Sequence, residues 1–191
     1  MNILLGVSGG IAAYKAAALT SQLIKNDHRV RVVMTENATR FVGAITFEAL
    51  SQHPVMTDAL ATGASGEHVA SIEHIEWAKW ADLAVVAPLT ANTLAKLACG
   101  LADDALTTVL MALPAGKRVI LCPAMNTAMW EHPIVQRNLG WIGDLNRYEI
   151  VEPVHKRLAC GDVGVGGLAE VSDIIEHIEG PSDSWDPGAS P

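Results

Sequence analysis

Five short apolar runs, residues 2–7, 30–34, 83–87, 119–122 and 149–151, alternate with stretches whose apolar residues recur at helical spacing. The helical stretches are 11–25, 39–51, 93–99 with 104–113, 132–139 and a last one at 171–178. Several runs are apolar at every position, as in Leu83-Ala-Val-Val-Ala87, which suits strands buried on both faces. Strands regularly separated by helices pair in parallel through helical crossovers. The expected fold is therefore α/β: a single doubly wound parallel sheet with helices on both faces, Rossmann-like or flavodoxin-like, over residues 1–180. Such sheets bind ligands beyond the carboxyl ends of their strands. The loops expected to carry function are 7–10, 35–39, 88–93 and 123–130.

Composition narrows the classes further. The chain has 191 residues and a formal net charge of −8, and its 13 basic residues are scattered. A nucleic-acid surface needs clustered Lys and Arg, so nucleic acid is not expected as a partner. No stretch reaches the ~18 apolar residues of a membrane span, and the opening residues lack the basic n-region of a signal peptide. The three cysteines, Cys99, Cys122 and Cys160, are odd in number and widely spaced. They read as thiols of a reducing, cytoplasmic compartment and not as a disulfide framework. CxxC and HExxH spacings are absent, so no metal site is expected. Residues 57–71, rich in Ala, Gly, Ser and Thr, read as a surface excursion. Residues 160–167 carry four glycines and read as a flexible flap, and residues 181–191 as a disordered tail or boundary segment.

Gly6-Val-Ser-Gly-Gly10 follows the first strand and opens a helix, where glycines admit a ligand and free N–H groups favour an anion. The spacing is not GxGxxG, and Thr35-Glu36-Asn37 ends the second strand where a dinucleotide site would place an acidic residue. A mononucleotide phosphate fits better, although a plain strand–helix turn explains the motif equally well. In Pro88-Leu-Thr-Ala-Asn-Thr93 three capping-type residues crowd one helix start, and ordinary capping needs only one. Pro123-Ala-Met-Asn-Thr-Ala-Met-Trp130 follows another strand, and its Asn126 could hold a carboxylate or amide. His74 lies in His-Ile-Glu-Trp-Ala-Lys-Trp, where it reads as a structural residue or a proton-transfer group. Cys160, among glycines and beside Asp162, is a candidate acid, base or nucleophile, or an incidental thiol.

In their order, GVSGGIAAYK, HIEWAKWAD, APLTANTLAKLACGLADD, PAMNTAMW and RLACGDVGVGGLAE resemble the homo-oligomeric flavin-containing cysteine decarboxylases over residues 2–179. Within that family the resemblance is to the branch acting on phosphopantothenoylcysteine in coenzyme A synthesis. The resemblance implies FMN as cofactor, contacted by Gly9, Gly10, Ile11, Thr35, Asn37, Phe41, Thr90, Ala91, Asn92, Thr93 and Ala124. It implies His74 as the active-site base, Cys160 as proton donor, and Asn126, Arg157 and Ala159 as substrate contacts. It also implies thiol oxidation, CO2 loss and re-reduction of an ene-thiol. The assembly implied is a trimer or a dodecamer of trimers with FMN between subunits, fused to or working with the synthetase that makes the substrate. Gly167-Leu168 departs from the Arg-Met or Ala-Met of many relatives. Rival readings are a peptidyl-cysteine decarboxylase of lantibiotic maturation, a flavin prenyltransferase, and a non-catalytic flavoprotein regulating a phosphatase.

Overall fold

A computed structural model of the chain describes residues 1–59, 70–159, 161 and 163–180, with only the backbone of residues 70–72. Most of the expected surface excursion at 57–71, the thiol of Cys160, and the expected tail at 181–191 lie outside these residues.

Six parallel strands form the sheet: β1 (Asn2–Val7), β2 (Arg29–Met34), β3 (Val55–Met56), β4 (Leu83–Leu89), β5 (Arg118–Pro123) and β6 (Tyr148–Ile150), in the order β3-β2-β1-β4-β5-β6. The chain winds outward from β1 to β3, then returns to lay β4 on the other side of β1. This reversal opens a crevice between the loops that follow β1 and β4. The doubly wound fold is thus as the apolar runs imply, with β3 as an addition. Two residues at an edge are too few to leave an apolar run.

Helices cover both faces. Ile3, Leu5, Val7, Val32, Val85 and Ile120 point to one side and pack beneath α1 (Ala13–Lys25), α3 (Ala44–Ser51) and α9 (Val171–Glu179). Leu4, Val33, Ala84, Val86 and Leu121 point to the other. There they meet α4 (Ala70–Trp80), α5 (Ala91–Cys99), α6 (Ala105–Met111) and α8 (Pro133–Gly143). Alternate residues of one strand feed two cores, which is why every position of β4 is buried.

Local chemistry sets where the helices begin. Thr35 caps the short α2 (Glu36–Thr39), and Thr90 caps α5. Asp104 and Thr107 form a capping box at α6, and Asn126 caps α7 (Thr127–Trp130). The stretch 39–51 is helical only from Ala44, as α3; its first residue, Thr39, ends α2, and a turn over residues 40–43 separates the two.

The expected flap also differs. Residues Val163–Gly167 form strand β8, antiparallel to β7 (Val154–Arg157) in a separate two-stranded sheet. Glycine content suggested a loop because isolated glycines weaken strands. Here they let β8 lie directly on the segment after β5. Gly166 has φ of 140°, and a Cβ there would overlap the Met125 carbonyl oxygen. The Met125 N–H donates to the Gly166 carbonyl at 2.8 Å.

Candidate active site

A cleft of about 1080 Å³ opens at the carboxyl edge of the sheet. Four strand–helix loops and the β7–β8 hairpin converge on it. From the β1 loop come Gly9, Gly10 and Ile11, and from the β2 loop Thr35 and Asn37. Thr90 to Thr93 come from the β4 loop, Ala124 to Asn126 from the β5 loop, and Arg157 and Ala159 from the hairpin.

The loops are fastened to one another by a residue that the sequence motif contains but does not single out. Ser8 is fully buried. Its hydroxyl donates to the Pro88 carbonyl at 2.7 Å and accepts from the Thr90 N–H at 2.9 Å. One side chain thus joins the β1 and β4 loops across the crevice. Gly9 closes the same corner against the β2 loop. A Cβ on Gly9 would lie 2.8 Å from the Asn37 carbonyl carbon and 3.1 Å from the Ala38 nitrogen, and backbone atoms cannot step aside. The floor is therefore built from close backbone approach, with the α1 and α5 N-termini facing the space.

Asn126 uses its Oδ1 to accept from the Met129 N–H at 3.0 Å. Its Nδ2 has no hydrogen-bond partner among the described residues and remains available to an acceptor in the cleft. Two charged clusters stand at the rim. Lys96 pairs with Asp103 at 2.6 Å and Asp104 at 2.7 Å. Lys15 and Lys156 both pair with Glu170, at 3.2 Å and 3.3 Å. Burial would raise the Asp104 carboxyl, but hydrogen bonds from Lys96 and Thr107 override it and hold Asp104 below its usual range.

Two expected residues, Phe41 and His74, do not line the cleft. Phe41 is half exposed after α2 and does not line the cleft. His74 lies on α4, away from the cleft walls, and its Nδ1 is buried without a hydrogen-bond partner among the described residues. Cys160 lies outside the described residues, between Ala159 on the cleft and Gly161. The other two cysteines are free thiols that do not line the cleft. Cys99 is exposed and Cys122 is buried, with burial pushing the Cys122 thiol far up. No group of three His, Cys, Asp or Glu among the described residues could hold a metal.

The cleft suits a ligand that carries an anionic group, since helix N-termini at its floor favour negative charge. Glycines and capping hydroxyls crowd its floor, and Glu36, two residues after β2, also lines it. The flavoprotein family profile matches residues 1–181, and the chain belongs to that family. The chain is 45% identical to a probable phosphopantothenoylcysteine decarboxylase of Streptococcus mutans, over 93% of this chain and 97% of that one. It is 49% identical to the coenzyme A biosynthesis bifunctional protein CoaBC of Bacillus subtilis. That match covers 93% of this chain and only 42% of the bifunctional relative. Among solved structures, a mutant PPC decarboxylase complexed with pantothenoylaminoethenethiol superposes with a TM-score of 0.78 at 33% identity, covering 93% of this chain and 95% of that one.

Proposed function

We propose that this chain is a cytoplasmic, FMN-dependent phosphopantothenoylcysteine decarboxylase, forming phosphopantetheine for coenzyme A synthesis. The observation that carries the reading is the convergence of Gly9 and Gly10, Thr35 and Asn37, Thr90 to Thr93, and Ala124 to Asn126 on one cleft. Uncharged backbone and hydroxyl donors there suit the phosphate and ribityl groups of FMN. Bound FMN would supply the two-electron sink that makes carbon dioxide loss from a cysteine carboxylate feasible.

The chain's own groups supply binding and proton transfer. The free Nδ2 of Asn126 donates to the substrate carboxylate, and Arg157 and Ala159 border the substrate from the hairpin. His74 acts as the base, taking a proton during thiol oxidation. Cys160 returns a proton to carbon after carbon dioxide has left. His74 does not line the cleft of its own chain, so a neighbouring copy supplies it. This reading makes the active enzyme a homo-oligomer, a trimer or a dodecamer of trimers, with FMN between subunits. The substrate comes from a phosphopantothenoylcysteine synthetase, either joined to this chain or separate.

The test is an anaerobic single turnover of phosphopantothenoylcysteine by purified protein and by Cys160→Ser. Denatured wild type should release about one FMN per chain, as one mononucleotide site per sheet requires. Wild type should form the saturated thiol. Cys160→Ser should stop at a product lighter by two hydrogens, because a serine hydroxyl is a far weaker acid than a thiol. A protein that releases FAD, or that leaves the substrate carboxylate intact, refutes the reading.

A further inference from the structure

The lysine pair at the hairpin end of the cleft has no role in the chemistry above. Lys15 is in the first turn of α1, where a cation works against the helix dipole. Its Nζ donates to both oxygens of Glu170 at 3.2 Å. Lys156, on β7, donates to the same carboxylate at 3.3 Å and to the Leu168 carbonyl at 3.1 Å. Gly167 lies against the Lys156 stem so closely that a Cβ there would overlap it. Both ammonium groups are therefore held in place before any ligand arrives.

Charge is unbalanced here. Two lysines share one carboxylate, and Arg157 adds a third cation to the same wall. At the other rim Lys96 faces two aspartates, so the excess there is negative. Within a chain of net charge −8, the cleft has one distinctly positive end. Burial and the adjacent Lys15 push Lys156 below the ordinary lysine range. Lys15, despite its own burial, is held above that range by its contacts with Lys156 and Glu170, so the single carboxylate serves the two lysines unequally.

Resting on the decarboxylase reading, we propose that Lys15 and Lys156 form the subsite for a phosphate monoester of the substrate, and that Glu170 occupies it as an internal competing anion. Two phosphate monoesters enter this cleft in that reading, one on FMN and one on the substrate. The substrate's is assigned here because Lys156 adjoins Arg157 and Ala159 on the hairpin. The loops after β1, β2 and β4 already offer uncharged donors for the other phosphate.

The experiment measures, by calorimetry on the FMN-loaded protein, the affinities of phosphopantetheine and of pantetheine. Wild type should prefer the phosphorylated ligand by roughly 10- to 100-fold, as expected for charge-assisted hydrogen bonds to a dianion. Lys156→Met should reduce that ratio at least tenfold, and Lys156→Arg should keep most of it. Glu170→Gln removes the competitor and should tighten the phosphorylated ligand several-fold, an effect opposite in sign to simple structural damage. An unchanged ratio in Lys156→Met, or weaker phosphopantetheine binding in Glu170→Gln, overturns the subsite. Loss of FMN from Lys156→Met would assign the lysines to the cofactor phosphate and overturn the substrate assignment. Decarboxylation of phosphopantothenoylcysteine by wild type, followed in parallel, reports on the functional reading independently of these ratios.

Discussion

Replacing Ser8 with alanine isolates the fastening between the β1 and β4 loops. The serine hydroxyl is fully buried and bridges the Pro88 carbonyl and the Thr90 N–H. Alanine fits the space, so packing changes little. The Pro88 carbonyl keeps a second donor, the Ser8 N–H at 3.3 Å. The Thr90 N–H loses its partner, and an orphaned buried donor costs about 1–3 kcal/mol. For a domain of this size each kcal/mol lowers Tm by about 2–4 °C. Ser8→Ala should therefore be destabilised by about 1–3 kcal/mol in urea unfolding of the cofactor-free protein. FMN retention should fall as well, because Thr90 opens the Thr90 to Thr93 segment. Thr20→Val is the control. Its buried hydroxyl donates to Ala16 within α1, and that carbonyl belongs to the helical ladder, so no donor is stranded. A Ser8→Ala protein within about 0.5 kcal/mol of wild type, a shift typical of an unimportant surface site, would refute the bridge as a structural fastening.

Two further outcomes follow from particular contacts. Gly166→Ala places a methyl against the Met125 carbonyl at a φ that alanine disfavours, and should cost about 1–3 kcal/mol through overpacking and strain. Urea unfolding and weaker phosphopantetheine binding would register it, since the displaced segment carries Asn126. Asp104→Ala removes the α6 cap and should cost about 0.5–2 kcal/mol at neutral pH. Because the Asp104 carboxyl is held below its usual range, its charged form stabilises the fold above that range, and the contribution is lost as pH falls through the depressed value. The stability gap between Asp104→Ala and wild type should narrow below about pH 4, and a gap that widens in acid would contradict this sign.

The sheet was legible because its periodicity is local. β1, β2, β4 and β5 announce themselves as apolar runs, and their helical spacers imply parallel pairing without any long-range information. The placement of ligand loops followed from the same regularity, since in a doubly wound sheet the chemistry gathers at the carboxyl edge. Most of the nominated cleft residues lie in those loops for that reason. What required tertiary structure was whatever depends on distant partners. Ser8 and Pro88 are 80 positions apart, and Lys15 and Glu170 are 155. No window of sequence shows that a hydroxyl bridges two loops or that two lysines share one carboxylate. β8 read as a loop because glycine weakens an isolated strand, while its place beneath Met125 demands glycine. His74 was visible as a candidate in its own segment, but only the packing of α4 shows that it stands apart from its own chain's cleft. Propensity and pattern are properties of neighbours in sequence, whereas charge balance, close backbone approach and the position of His74 relative to the cleft arise only when the chain has folded.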